Sequence, residues 1–101
     1  MILFSFYITI IAGRRHIEEK EIGQVADFFT HVNVITVKLF KELSVGDRIH
    51  IKGHTTDFIQ EVSSIQIEHQ AVIKAKAGDD VGIKVSEKVR HGDKIFKIIA
   101  D

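Results

Sequence analysis

Residues 45–52 read Val45-Gly46-Asp47-Arg48-Ile49-His50-Ile51-Lys52, a turn followed at once by a strand. Glycine accepts the positive φ required at the third position of a type II turn. The Asp after it can hydrogen-bond nearby backbone as the strand begins. Beyond Asp47 the alternation is strict, so Ile49 and Ile51 face inward and Arg48, His50 and Lys52 outward. The phrase recurs: Ala77-Gly78-Asp79 leads into Val81, Ile83 and Val85, and His91-Gly92-Asp93 leads into Ile95. A chain punctuated in this way reads as a small antiparallel β domain.

The totals agree. A length of 101 residues holds one domain and one core. Hydrophobic residues at 45% and charged residues at 28% place it with ordinary soluble globular proteins. A formal net charge of +0 argues against a strongly basic nucleic-acid binder but leaves room for a local basic patch. The chain has no cysteine, which excludes disulfides, zinc-thiolate sites and thiol nucleophiles. It also has no proline, a common guard of edge strands, and this favours a closed barrel over an open sheet.

Working outward from the first turn, Ile22–Phe29 is a strand with Gly23 as a bulge position. After a tight turn at Thr30–Val32, Asn33–Phe40 forms the second strand, with Ile35, Val37 and Leu39 on one face. Arg48–Lys52 is the third. Phe58–Ile67 is a long fourth strand whose apolar phase slips, which predicts a bulge or bend at Ser63-Ser64. Val81–Val85 and Lys94–Ile99 are the fifth and sixth. The predicted core is Ile35, Val37, Leu39, Ile49, Ile51, Val62, Ile65, Ile67, Val81, Ile83 and Val85, with Phe58 and Phe96 also facing inward.

Residues 1–12 are nearly all apolar. The run is shorter than the roughly 18–20 residues of a transmembrane helix. Its positive charges follow rather than precede it, unlike a signal peptide. It reads as an added β-strand or apolar arm, with an extension outside the domain as the alternative. A membrane role is disfavoured, and an exposed arm would invite self-association. Glu18 to Glu21 form a charged link, so the domain proper is expected to start near residue 18.

No phosphate-binding G-x-x-x-x-G-K-[ST] loop, G-x-G-x-x-G or G-x-S-x-G elbow is present, so no nucleotide, cofactor or serine hydrolase chemistry is expected. His50 and His54 lie four apart across a strand end and a loop, where they need not converge on a metal. Asp57 and Glu61 would share a strand face about 13 Å apart, too far for a retaining carboxylate pair. What remains is a basic stripe: Arg48, His50 and Lys52 on one strand face, extended into a loop by His54, Thr55 and Thr56. Such a stripe can track a phosphate backbone. Weighed on the residues alone, the polar face of a strand whose other face is the core is the stronger reading.

Four blocks carry a resemblance: Leu43–Gly53, Val62–Ile67, Ala75–Ile83 and Val89–Asp93. In order and spacing they resemble the second domain of elongation factor Tu and related translational GTPases, a six-stranded antiparallel β-barrel, over about residues 20–100. The phrases Ile51–Phe58 and Ile65–Val72 resemble small stand-alone proteins called translation elongation factor-like. A similar barrel sits at the C-terminus of a bacterial collagenase-like peptidase family. The resemblance implies a barrel and RNA or ribosome association, and it transfers no catalytic residue.

The expectation is therefore an all-β chain: a single six-stranded closed antiparallel β-barrel over residues 18–101, after an N-terminal apolar extension over residues 1–17. It is expected to be non-enzymatic and cytoplasmic, without cofactor or metal, and to work in translation as an RNA- or ribosome-binding module. The expected contacts are Arg48, His50, Lys52, His54, Thr55 and Thr56. The alternative is a protein-interaction adaptor contacting its partner through an exposed edge or the N-terminal arm.

Overall fold

A computed structural model describes residues 7–12 and 15–100, with side chains from residue 17 onward. The elements described are all strands. They are β1 (Tyr7–Ala12), β2 (Arg15–Phe29), β3 (Val34–Leu39), β4 (Leu43–Ser44), β5 (Arg48–Lys52) and β6 (Asp57–Glu61). After these come β7 (Ile65–Ile67), β8 (Gln70–Val72), β9 (Lys74–Ala75), β10 (Asp80–Lys84) and β11 (Lys94–Ala100). No helix among the described residues is long and apolar enough to cross a membrane. Expectations for residues 1–6 lie outside the described residues, as do the side-chain contacts expected of residues 7–12.

The Gly-Asp turns are one structure built three times. Gly46, Gly78 and Gly92 have φ of 98°, 96° and 90°. Each following Asp closes the turn, with its backbone N–H 3.1 Å from the carbonyl three residues earlier: Ser44, Lys76 and Arg90. Its carboxylate accepts from the backbone N–H of that same residue, at 2.8, 2.9 and 2.9 Å. Each turn also clamps one buried residue. Gly46 N–H donates to Val62 and Val62 N–H to Asp47; Gly78 and Asp79 clamp Leu39, and Gly92 and Asp93 clamp Val25, in the same way. Local turn chemistry is thereby tied to the core.

The strands form one antiparallel sheet in the order β6-β5-β11-β2-β3-β10-β7-β8. β1 pairs β2 beside this path, and β4–β9 is a separate ladder. β2 runs through the expected boundary at residue 18. A register shift opposite Ile95/Phe96 and another between Val25 and Asp27 let it serve β1, β11 and β3 in turn.

The expected closed barrel is not formed. The sheet is open, with eight strands along its path and no backbone ladder between its ends, β6 and β8. The reason lies in the segment expected as one long strand. It breaks over residues 62–64, where Val62 turns wholly into the core and gives its N–H and C=O to the first Gly-Asp turn. Those groups are then unavailable to a ladder. The Gln60 side chain on β6 reaches β10 and the chain after it: its amide N–H donates to Lys84 O, and its carbonyl accepts from Ser86 N–H, each at 2.9 Å.

The core gathers ten of the eleven predicted residues; Ile67 packs against it only partly buried. It also takes Phe58, as expected, together with Ile22, Val25, Leu43, Ala75, Val89 and Ile95. Fully burying an aliphatic side chain of this size contributes roughly 1.5–3 kcal/mol. Phe96 is a correction: in register with His50 it lies on the outer face, because its neighbour Ile95 takes the core position.

Candidate functional site

The predicted stripe lies on β5, but it is not a free row of cations. Arg48 stands in register with Glu61 of β6, and Lys52 with Asp57. His50 is held at both ring nitrogens. Nδ1 lies 3.0 and 3.1 Å from the two carboxylate oxygens of Glu19 on β2, and Nε2 lies 2.5 Å from Asp57 Oδ1 on β6. Two flanking carboxylates call for a donor at each nitrogen, which is the imidazolium form. Burial alone would lower the His50 pKa; hydrogen bonds to Asp57 and Glu19 and the attraction of both carboxylates outweigh it and raise the pKa. The Asp57 carboxyl is lowered, chiefly by its hydrogen bond to His50. The Phe96 ring is tilted beside His50, with centroids 6.3 Å apart. His54 and Thr55 are exposed in the following loop, whereas Thr56 is buried and its carbonyl accepts from Gly53 N–H at 2.7 Å. Of the six predicted residues, then, one turns inward, one is neutralised by Glu19 and Asp57, and two face acids. This charge pairing removes much of the field that a phosphate backbone would require.

A second site was not anticipated. A groove of about 640 Å³ opens on the outer face of β3, β10 and β7. Its floor is Gly82 of β10, flanked in register by Thr36 of β3 and Gln66 of β7. The β2–β3 turn overhangs one side, where Phe29 and Val32 are half exposed beside Val34. The tight β7–β8 turn borders the other side through Glu68 and His69. Both of these residues have positive φ, 51° and 66°, as does Asn33 (56°) in the opposing turn. Left-handed backbone at non-glycine residues costs on the order of 1 kcal/mol each, and such strain clusters at functional sites.

Gly82 has no structural reason to lack a side chain. Its φ lies outside the left-handed range, and an added Cβ would meet Val34 Cγ1 at 3.5 Å and Gln66 at 4.0 Å, ordinary contacts. A glycine inside a strand weakens it by roughly 0.5–1 kcal/mol and often marks a close approach by a ligand. The sequence carried this signal in Gly82, which interrupts Val81 and Ile83, but not the identity of the neighbours that make it a floor.

Comparison with known proteins places these features in context. No family model matches the chain. An uncharacterized protease of Methanocaldococcus jannaschii is 43% identical over 77 residues, covering 75% of this chain and 19% of the relative. A collagenase of Porphyromonas gingivalis is 38% identical over 78 residues, covering 75% of this chain and 22% of that protein. The chain thus spans about a fifth of the length of these relatives. Crystal structures of the C-terminal domain of a Geobacillus thermoleovorans putative U32 peptidase share the fold. The selenomethionine variant has a TM-score of 0.72 at 19% identity, covering 75% of this chain and 96% of that one. The other has a TM-score of 0.71 at 20% identity, covering 75% and 89%. These findings overturn the expectation of an elongation factor-like protein working in translation. The match falls instead on the other resemblance, the C-terminal domain of a collagenase-like peptidase. They support neither the RNA-binding nor the adaptor reading.

Proposed function

We propose that this chain is a non-catalytic domain of the U32 peptidase type that holds a stretch of polypeptide in the groove over Gly82. Peptide-bond cleavage is then assigned to parts of such peptidases outside this domain. Relatives that bear protease and collagenase names support a polypeptide ligand. The single observation that carries the site is Gly82, a glycine the fold tolerates but does not need, at the centre of the groove floor. The cluster around His50 supports the non-enzymatic part: a histidine with both nitrogens held by carboxylates has no free lone pair to act as a base.

Fluorescence anisotropy with labelled gelatin fragments tests this. The protein is expected to bind saturably without cleaving them, and Gly82→Leu to abolish binding while the thermal unfolding transition is retained. Absence of saturable binding by the unmodified protein, or cleavage of the fragments, would overturn the reading.

A further inference from the structure

Resting on that reading of the same groove, we propose that it selects the polarity of the bound segment: an apolar side chain at the Phe29–Val34 end and a lysine or arginine at the Asp80–Glu68 end, about four residues apart. The strand register builds this asymmetry. Asp80, Gly82 and Lys84 are alternate residues of β10 and share its outward face. At the usual rise Asp80 and Lys84 stand about 13 Å apart. Lys84 pairs with Val34, and Val34 with Phe29, so the apolar overhang and one cation mark one end. At the other, the β7–β10 register sets Gln66 against Gly82, so Glu68 comes toward Asp80.

The charges at the acidic end leave a net anion. Asp80 pairs with Lys38, 3.9 Å away with both side chains well exposed, while Glu68 on the β7–β8 turn adds a second carboxylate. An exposed pair at that separation is weak and easily displaced by a ligand cation. His69 borders Glu68 on the turn. At the far end Lys84 repels a second cation, so a segment with its charge at the apolar end is disfavoured. An aliphatic or aromatic ligand side chain gains by leaving water against Phe29, Val32 and Val34. A basic one gains against the two carboxylates.

The test uses two labelled peptides that differ at one position, Phe-Gly-Ser-Gly-Arg and Phe-Gly-Ser-Gly-Glu, each capped at both ends. The unmodified protein is expected to prefer the Arg peptide by about tenfold at low ionic strength, collapsing toward equality in about 0.5 M NaCl. The double variant Asp80→Lys/Glu68→Lys is expected to invert the preference. Equal binding of both peptides, or an unchanged preference in the double variant, overturns the polarity while Gly82-dependent gelatin binding would still stand. A dimer that Gly82→Leu converts to monomer in sedimentation would also overturn it, since a second copy of the chain would then fill the groove.

Discussion

His50 on β5 reaches across β11 to Glu19 on β2, with Nδ1 3.0 Å from a carboxylate oxygen. On its other side Nε2 holds Asp57 of the edge strand β6, so one imidazolium ties an end of the sheet to its middle. The His50 pKa is raised above its ordinary 6.5, so its stabilising contribution is full below that pH and is lost as pH rises through the elevated value. The Asp57 carboxyl is lowered below 3.8, so its contribution is full above that pH and is lost as pH falls through the lowered value. The cluster is therefore strongest between the two. The urea midpoint of the native protein is expected to fall more steeply than that of His50→Gln as pH rises above the ordinary imidazole value of 6.5. Parallel pH profiles for the two proteins would refute the pairing.

The three turn glycines should be equivalent in energy as they are in geometry. An added Cβ at Gly46, Gly78 or Gly92 meets nothing within 4 Å, so the penalty for alanine is purely one of backbone conformation. Each substitution to Ala is expected to cost on the order of 1 kcal/mol or more, and each to Asn less, since Asn tolerates the left-handed region. Urea denaturation of the six variants measures this; alanine variants as stable as the native protein would contradict it.

Gly53 should fail for a different reason. A Cβ there would lie 1.8 Å from Oδ1 of Asp93, a buried residue whose carboxylate also caps Arg90 N–H in the third turn. Gly53→Ala must displace that carboxylate and unseat the turn that clamps Val25. A loss of about 1–3 kcal/mol is expected, the range for overpacking a filled interior. Hydrogen exchange should localise it to Val25 and Asp93, and an unchanged exchange rate at Val25 would count against the mechanism.

Gly82 should behave in the opposite way. With ordinary contacts at 3.5 Å and beyond, Gly82→Ala is expected to leave stability unchanged or raise it by about 0.4–1 kcal/mol, by restricting the unfolded chain. The same substitution should weaken gelatin binding. A variant both less stable and equally able to bind would show that Gly82 serves the fold and not the groove.

The accuracy of the sequence reading followed the range of the interactions. Turns were legible because Gly46, Gly78 and Gly92 and the Asp residues after them settle their geometry within four residues. The inward faces of β3, β5 and β10 were legible because alternation is a local property. Phe96 was misread because a lone aromatic beside Ile95 does not announce which of the two faces the core. The barrel was expected closed from the missing prolines and the resemblance, neither of which indicates that a turn fifteen residues before Val62 takes its backbone groups.

The stripe on β5 was correctly placed on an outward face, yet its chemistry was not legible. Arg48, His50 and Lys52 read as cations until the register supplies Glu61, Glu19 and Asp57 opposite them. By itself, then, the amino-acid sequence determined the all-β class, the three Gly-Asp turns and most of the core, all of which rest on periodicity and on the φ that glycine permits. Only the tertiary structure decided that the sheet stays open, that His50 is shared between two carboxylates, and that Gly82 floors a groove. Each of these depends on which distant strands lie side by side, and that pairing sets the neighbours a residue meets.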